Sequence, residues 1–319
     1  MNRKKVIITL IVSIAILGSG FTAFAAINNN SEPVTASEMP SEVVTASDTE
    51  ENNEPYPDSE VVTWELGDNV TATLKAGELS ITGKGRAWID RPPRGEPKFI
   101  HSYVHIPWIG DERAQNSIKS VVIADTVEIH DMGGWFWCCE NLTDISGLKV
   151  PNMCKSMENT FRGCSKLTDV STLKIPNSVT NLKGLLSYSA VTNIPDDLIP
   201  DNAQDISYIF CETSIKDLES FQIPNTVQNA KCAFWKCKSL TNVDGIVVPN
   251  GAITFRMFGE VPLAAGTVTI KGTPSDYRLM FYKAGKDSSG IVVDYTDSAS
   301  IDEIIATSEN GNVTKGTLQ

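Results

Sequence analysis

The pattern of apolar and polar positions repeats along the middle of the chain. One copy runs FWCCENLTDISGLKVPNMCKSM from Phe136, and another runs TFRGCSKLTDVSTLKIPNSVTNL over 160–182. A third copy, FWKCKSLTNVDGIVVPNGAITF, begins at Phe234. Aligned on the first large apolar residue, the copies start 24 or 25 residues apart, at Phe136, Phe161, Leu186, Phe210, Phe234 and Phe258. The chain therefore repeats one structural unit.

Each copy carries two further fixed features. An apolar–polar–polar–apolar quartet follows the first residue, as in 142–145 and 167–170. An aliphatic residue and Pro come next, usually followed by Asn or Asp, as in 175–177. A fixed period in the twenties is typical of a solenoid, in which each copy is one coil and stacked coils share a continuous core. We therefore predict a parallel β-sheet built from 24–25-residue coils over 117–262.

One polar position keeps its register through five copies. Asn and Asp at bends commonly accept hydrogen bonds from nearby backbone N–H groups. We predict that these residues form a structural ladder rather than a catalytic set. The five residues are Asp144, Asp169, Asn193, Asp217 and Asn242.

These motifs resemble the BspA-like leucine-rich-repeat surface proteins of bacteria. Coils of that family read roughly as an aromatic residue, two residues, Cys, two residues and Leu, followed by a strand and a turn. The segments 160–170 and 233–243 match most closely, whereas 186–190 and 210–214 have lost the Cys and one residue each. The resemblance covers about 117–262 and implies a leucine-rich-repeat solenoid that acts in adhesion or protein binding.

The segment before the repeat is predicted to be a cap. Residues 63–88 alternate like strands around Gly-rich turns, and Trp108 follows a Pro downstream. This pairing resembles the N-terminal cap of the same family. Because solenoid ends need a polar lid to stay soluble, we assign 61–116 to a β-rich N-terminal cap.

The segment after the repeat is also assigned to a cap, over 263–319. Its segments 266–272 and 290–297 are predicted to be closing strands. Residues 300–303 read as a capping box that opens a short helix through Ile304 and Ile305.

Residues 1–25 have the pattern of a secretory signal peptide. A basic start precedes an apolar run from Val6 to about Leu17, and Ala23 and Ala25 supply the small-x-small cleavage pattern. The alternative, an uncleaved membrane anchor, needs about 20 apolar residues, which is longer than this run. We expect cleavage after Ala25, no stable membrane insertion afterwards, and a secreted or cell-surface-associated protein.

The charge of the chain limits the classes of partner that it can bind. Residues 26–60 contain nine Asp or Glu and no Lys or Arg, which predicts a disordered acidic spacer. The formal net charge is −12. Cleavage of 1–25 would remove Arg3, Lys4 and Lys5 and no acids, giving −15. Because an acidic chain repels phosphate backbones, we expect no nucleic-acid partner.

The cysteines indicate core positions. Cys139, Cys164 and Cys237 each lie three residues after the start of a copy, which predicts a small, buried apolar side chain in each coil. The adjacent Cys138 and Cys139 are poorly placed to bond each other. Neighbouring coils could bring Cys139 near Cys164, so one disulfide stays open as the alternative to the free thiols that we favour. CxxC pairs with His partners, typical of zinc sites, do not occur.

Motifs for catalysis or metal binding are weak. His101 and His105 would lie about 13 Å apart in a strand, too far to share a metal. His130 has no evident Ser or Cys partner for nucleophilic catalysis. The segment 83–86, GKGR, lacks the P-loop pattern. We therefore expect no catalytic activity, no cofactor and no metal site.

The residues beside the repeated Phe supply the candidate binding site. Trp137 and Trp235 directly follow that Phe, Arg162 fills the same slot, and Trp135 precedes Phe136. If the Phe points inward its successor points outward, and exposed Trp with Arg is typical of protein-binding and sugar-stacking surfaces. The alternative is packing of these aromatic residues over the coil edges. Stacked coils would place Trp137 and Trp235 about 19 Å apart along one ridge.

Two classes of function follow from these features. The first is adhesion or protein binding, with an extracellular protein or matrix component as the partner. The second is a glycan-binding accessory protein without catalytic activity, which captures polysaccharide near the cell. The sequence alone does not separate them.

Overall fold

The computed structural model of the protein describes residues 53–87, 105–219, 221–298 and 300–319. These residues belong to one compact unit, Glu51–Gln319. The predicted signal peptide and His101 lie outside the described residues, as does most of the predicted spacer. None of the helices described is both long enough and apolar enough to span a bilayer.

The described residues form short elements. The strands are β1 (Val61–Gly67), β2 (Val70–Lys75), β3 (Glu78–Gly83), β4 (Gly85–Arg86), β5 (Ser120–Ile123), β6 (Val127–Glu128), β7 (Asp144–Gly147), β8 (Ile246–Val248), β9 (Gly266–Ile270), β10 (Ile291–Tyr295) and β11 (Val313–Leu318), and the helices are α1 (Glu112–Ser117) and α2 (Ile301–Ala306).

The N-terminal sheet joins an antiparallel meander to the first coils. β1, β2 and β3 pair antiparallel, β3 then pairs parallel with β5, and β5 pairs parallel with β7. Alternate residues of β2 and β3 are buried, among them Leu74, Leu79 and Ile81. This alternation directs one face of the meander into the core, and it confirms the predicted strands as far as Arg86.

The last residues assigned to the spacer pack on α1. The Asp111 side chain caps α1 by accepting a hydrogen bond from Ala114 N at 3.1 Å. Tyr56 N donates to Ser117 Oγ at 2.7 Å, and the Arg113 guanidinium lies 4.1 Å from the centre of the Tyr56 ring. The folded part therefore includes Tyr56, ahead of the predicted start at residue 61.

The middle of the chain is a stack of coils. Isolated parallel β-bridges join one position per coil, in the series Asp131, Ser156, Asn181, Asp205, Asn229, Ile253 and Asp276. The structure is a parallel-strand β-solenoid of about eight turns, with coils about 25 residues apart. The predicted solenoid is confirmed. Its coils continue beyond 262, into the residues assigned to the C-terminal cap.

The predicted parallel β-sheet is reduced to single parallel bridges in the central coils. Between β7 and β8 the described residues form turns and single bridges rather than strands. The copies that start at Leu186 and Phe210 lack one residue before their quartets, and the quartet position of the Phe210 copy still forms a single bridge, Asp217 to Asn242. Pro195 also has no N–H group to donate to a ladder.

Hydrogen bonds in the coils alternate between two directions. Phe136 N donates to Thr160 O of the next coil at 2.9 Å, whereas Trp137 N donates to Gly134 O of its own coil at 3.0 Å. The same alternation recurs in the later coils. It satisfies the buried backbone groups while the chain turns tightly, so a stack of turns replaces a sheet.

Two residues per coil adopt the left-handed backbone conformation. They lie two positions before and two positions after the repeated Phe, with φ between +51° and +77°. They are Gly134, Asn159, Gly184, Tyr208, Cys232, Arg256 and Leu279 before it, and Cys138, Gly163, Tyr188, Glu212, Lys236, Glu260 and Lys283 after it. For a residue other than Gly this conformation costs about 1 kcal/mol or more.

The core contains a column of stacked rings, which we call the Phe ladder. It comprises Phe136, Phe161, Leu186, Phe210, Phe234, Phe258 and Phe281, all fully buried. Neighbouring rings lie 5.3–5.7 Å apart and nearly parallel, except where Leu186 interrupts them. The ladder shows directly that successive coils stack in register.

The position three residues after each ladder residue is buried and polar in the first five coils. The thiols of Cys164 and Cys237 donate to the carbonyl of the preceding coil's ladder residue, at 3.1 and 3.0 Å. The copies thought to have lost this Cys fill the slot with Ser189 and Thr213, whose hydroxyls bond within their own coil. All seven cysteines are free. The favoured free thiols are confirmed over a disulfide between Cys139 and Cys164.

The predicted Asp and Asn ladder is confirmed as structural. The side-chain oxygens of Asp144, Asp169, Asp217 and Asn242 accept a hydrogen bond from the backbone N–H two residues ahead, at 2.8–2.9 Å. Asn193 differs because Pro195 stands two residues ahead and has no N–H to donate.

The C-terminal strands extend the stack. β8, β9, β10 and β11 pair parallel in that order, which confirms the strands predicted in 266–272 and 290–297. α2 forms as predicted, but the predicted capping box is wrong. Ser300 is the N-cap residue, yet its side chain makes no capping hydrogen bond, and Ser300 Oγ is buried without a partner.

Candidate functional site

A second apolar cluster lies apart from the main core, on the coils from Leu186 to Phe258. Cys211, Cys232 and Trp235 are buried there, and Tyr188, Tyr208 and Phe255 are partly buried against them. We call these six residues the outer cluster. They come from four consecutive coils, so the cluster extends along the stack rather than around one coil.

The left-handed backbone positions supply half of the outer cluster. Tyr188 has φ +60°, Tyr208 has φ +58° and Cys232 has φ +54°. Bulky side chains rarely occupy this conformation, and such outliers are found often at functional sites. The surrounding inter-coil hydrogen bonds hold the backbone in place, which lets these side chains project away from the Phe ladder.

Cationic side chains lie over the aromatic rings of this surface. The Arg162 guanidinium is 4.5 Å from the centre of the Tyr188 ring, and Lys236 Nζ is 4.4 Å from that of Trp235. Lys283 Nζ lies 4.7 Å from the centre of the neighbouring Tyr282 ring. Each contact combines the ring quadrupole with a positive charge.

Three cations surround Phe255. Lys231 Nζ, the Arg256 guanidinium and the Arg278 guanidinium lie 5.3, 5.4 and 5.6 Å from the centre of its ring. We call Lys231, Arg256 and Arg278 the cation triad. Asp276 holds Arg278 through two hydrogen bonds, at 3.0 and 2.9 Å. The triad concentrates positive charge on a protein whose formal net charge is −12.

Carboxylates neutralise other cations and orient the tryptophan. Lys236 Nζ lies 3.4 Å from Glu212 Oε1, and Trp235 Nε1 donates to Glu260 Oε1 at 3.3 Å.

Burial keeps the titratable groups of the outer cluster neutral. Desolvation raises the pKa of Tyr188 to about 12 and that of the Cys232 thiol to about 11. The pKa values of Tyr208 and Cys211 are raised further for the same reason. Because thiols react as thiolates, these cysteines are packing residues rather than nucleophiles at neutral pH.

The four residues predicted to bind a ligand do not form one group in the structure: two pack with the main core and two lie at the outer cluster. Trp135 is buried at 1% exposure, with its ring edge-on to Trp108, and Trp108 Nε1 donates to Trp135 O at 2.6 Å. Trp137 is partly buried against the main core. Arg162 lies over Tyr188 beside the outer cluster, and Trp235 belongs to that cluster.

The outward exposure expected of the residue after the repeated Phe is wrong for Trp235, and Trp135, which precedes the Phe, is buried as well. Both agree with the alternative, in which these aromatic residues pack rather than face outward. Trp135 packs in the main core, and Trp235 is only 5% exposed because side chains of neighbouring coils cover it. Trp137 lies against the main core rather than in the outer cluster. The single ridge through Trp137, Arg162 and Trp235 is therefore replaced by the outer cluster and the cation triad.

The sequence analysis missed the residues around Phe255 and the two tyrosines. A signal for them exists in the repeat. The positions two residues before and after the ladder residue are mostly Gly or Asn up to Gly184, and then change to Tyr208, Cys232 and Arg256. This change of residue type within a fixed register coincides with part of the outer cluster and with Arg256.

A second surface feature is a pocket of about 190 Å³ on the quartet side of the coils. Asp196, Asp217 and Glu219 line it together with Leu218 and Phe221. Among the described residues, no group of three or more His, Cys, Asp or Glu side chains could hold a metal ion. The outer cluster with its cations is thus the stronger candidate site.

No known protein family matches the chain, and neither a curated protein nor a solved structure matches it.

Proposed function

We propose that the protein is a secreted or cell-surface-associated leucine-rich-repeat protein of the BspA-like type, whose solenoid surface binds an extracellular protein or matrix component. The leucine-rich-repeat identity rests on the resemblance of the repeat, and the flanking segments act as its caps. The proposed activity is adhesion or protein binding without catalysis. The observation that carries it is the outer cluster with the cations above its rings.

The composition of this surface supports protein binding. Hot spots in protein interfaces are enriched in Trp, Tyr and Arg, and they lie in partly desolvated clusters ringed by polar groups. The outer cluster provides Trp235, Tyr188 and Tyr208, with Arg162 and Arg256 alongside them. An extended series of such contacts along stacked coils suits an extended partner better than a small metabolite.

The same contacts disfavour stacking on neutral sugars. A sugar ring would need an open aromatic face, but Arg162 lies over Tyr188 and Lys236 lies over Trp235. Displacing these cations would remove the existing cation–π attraction. Protein binding is therefore favoured over glycan capture, the alternative that the sequence left open.

The proposal can be tested by presenting the purified full chain to panels of immobilised extracellular proteins and glycans. Tyr208→Ser and Arg256→Gln remove an aromatic and a cationic contact of the surface. We expect binding to a protein, weakened about tenfold or more by either substitution, which corresponds to about 1.4 kcal/mol.

Lys174→Gln is the matched control, because Lys174 is exposed on another part of the coil and pairs with Asp197 at 2.8 Å. It should leave binding unchanged. Binding to glycans alone, or protein binding that neither Tyr208→Ser nor Arg256→Gln weakens, would contradict the proposal.

A further inference from the structure

We propose that the cation triad of Lys231, Arg256 and Arg278 binds the carboxylates of an extended acidic segment of a protein partner, while Phe255 contacts its apolar side chains. This inference rests on the proposed function, because it names the chemistry of the partner that the same surface would recognise.

The charges of the triad support a negatively charged ligand. Three cations lie within 5.6 Å of the centre of one ring, and Asp276 is the carboxylate bonded to one of them. Asp276 has a lowered pKa, mainly through its hydrogen bonds with Arg278, and therefore stays ionised. In the part of the chain that the structure describes, Lys231 and Arg256 have no ion-pair partner. Three cations therefore lie around one ring with one bonded carboxylate, Asp276, and this excess of cations favours an anionic ligand.

Arg256 is the residue of the triad that most specifically indicates a carboxylate ligand. Its Nε is buried and has no hydrogen-bond partner, while its guanidinium lies among the rings of Trp235, Phe255 and Tyr282 at 5.4–6.0 Å. A buried donor without an acceptor costs about 1–3 kcal/mol. A carboxylate is the acceptor that a guanidinium binds best, through two parallel hydrogen bonds. The fold thus holds an arginine in a strained backbone conformation, φ +51°, with its buried Nε–H unused.

The neighbouring apolar residue favours a peptide over a polyanionic glycan. The bridge position before Phe255 is polar in six of the seven coils of the bridge series, and in this coil it is Ile253, which is 36% exposed. The polar residues at this position bond the backbone N–H two residues ahead, as Asn229 does with Lys231 N. Ile253 has no side-chain acceptor for that bond and exposes an apolar surface instead. An acidic peptide offers apolar side chains to Ile253 and Phe255, which a sulfated sugar chain lacks.

Recognition of acidic motifs by clusters of basic residues is a general mode of peptide binding. The triad spans three coils, about 10 Å at the spacing of paired strands. Alternate residues of an extended peptide point to one side and lie about 7 Å apart, so two acidic residues can face the triad together.

The experiment titrates the full chain with a short soluble peptide of alternating Glu and Leu, with its Gln-for-Glu counterpart, and with heparin. Calorimetry, or the intrinsic fluorescence of the tryptophans, reports binding. We expect the acidic peptide to bind at least about tenfold more tightly than the amide peptide. Raising the ionic strength from about 0.1 to about 1 M shortens the screening length from about 10 to about 3 Å and should weaken this binding.

Variants assign the effect to the triad. Lys231→Gln and Arg256→Gln should each weaken peptide binding about tenfold or more, and Arg256→Lys should restore it only in part, because Lys lacks the paired donors. Lys149→Gln, on an exposed residue that pairs with Asp125, is the control. Circular dichroism and the melting temperature verify that each variant is folded.

Each outcome decides the inference. Tight binding of the acidic peptide that depends on the triad supports it. Equal binding of the acidic and amide peptides overturns it, as does binding of heparin without the peptide. If both acidic probes fail while the full chain still binds a protein in the panel through Tyr208, the inference fails and the proposed function stands.

Discussion

The early and late coils have the same backbone, but they place different residues at the two left-handed positions of each coil. In the coils of Phe136, Phe161 and Leu186, four of the six left-handed residues are Gly or Asn, whereas in the coils from Phe210 to Phe281 none of the eight is. Gly and Asn adopt this conformation cheaply, and other residues do not. The late coils therefore accept backbone strain at positions that carry side chains, and these side chains include Tyr208 and Cys232 of the outer cluster and Arg256 of the cation triad.

The comparison also separates the inside of a coil from its outside. Phe234 and Trp235 are neighbours in sequence, yet Phe234 stacks in the Phe ladder and Trp235 packs in the outer cluster. The ladder position keeps a large apolar residue in every coil, because each ring packs on the next. The position after it varies from Trp to Arg, Ser, Cys and Gly, because no repeated contact constrains it.

The largest change in the free energy of unfolding is expected for a residue of the Phe ladder. Phe234 stacks on Phe210 and Phe258 at 5.7 and 5.3 Å and lies edge-on to Phe221. Phe234→Ala should lower the free energy of unfolding by about 3–5 kcal/mol, as deletions of buried aromatic rings do. Denaturant unfolding measures this, and Lys238→Ala in the same coil should change it by less than about 0.5 kcal/mol. Similar losses in both variants would contradict the ladder.

The next effect tests the left-handed positions of the early coils. Gly184 has φ +63°, and a Cβ atom there would clash with Asn159 Oδ1. Gly184→Ala should cost about 2–3 kcal/mol of unfolding free energy, from backbone strain and the clash. Gly251 has φ +73° with open space around it, so Gly251→Ala should cost only about 1 kcal/mol. Equal losses would show that the clash is unimportant.

A smaller effect of opposite sign is expected in the late coils. Lys283 has φ +56°, and its side chain contacts the Tyr282 ring at the end of the surface. Lys283→Gly should relieve the backbone strain and raise the free energy of unfolding by about 0.5–1 kcal/mol. A loss of stability in thermal unfolding would mean that the late coils do not carry this strain.

Much of the fold could be predicted from the sequence, because the period is fixed by packing. Phe161, Cys164 and Leu167 occupy positions that every coil must bury, so they repeat visibly. The site was harder to predict. Tyr208 carries no local signal for a left-handed backbone, and the burial of Trp235 depends on Cys211 and Cys232, which adjacent segments of the chain bring to it in three dimensions.

The missing strands of the central coils have a similar cause. Their quartets keep the apolar spacing of the other copies, yet the backbone there forms turns and single bridges, such as that between Asp217 and Asn242, so the apolar pattern alone did not reveal that strands are missing. The turns there are held by side-chain hydrogen bonds instead, and removing one of these bonds should have the smallest effect on stability.

Asp169 and Asn193 occupy the same repeat position, but only Asp169 accepts a backbone hydrogen bond, from Ser171 N at 2.8 Å. Asp169→Ala should cost about 0.5 kcal/mol, the low end for a hydrogen bond because the group is exposed, and Asn193→Ala should cost less. Hydrogen bonds from Ser171 lower the pKa of Asp169 below its ordinary value of 3.8. The contribution is therefore present above pH 3.8 and lost as the pH falls through the folded-state pKa. Equal costs at neutral pH would argue against the turn.

The most direct test compares Lys183 with Lys231. Both lie three residues before the ladder residue, but Lys183 is in an early coil and pairs with Glu158, whereas Lys231 is in the cation triad. Lysine acetylation of the full chain, with and without a bound protein partner, can be mapped by mass spectrometry. Binding by the late coils predicts that the partner protects Lys231 and leaves Lys183 reactive. Protection of Lys183 with Lys231 still reactive would place the binding surface on the early coils and contradict the account.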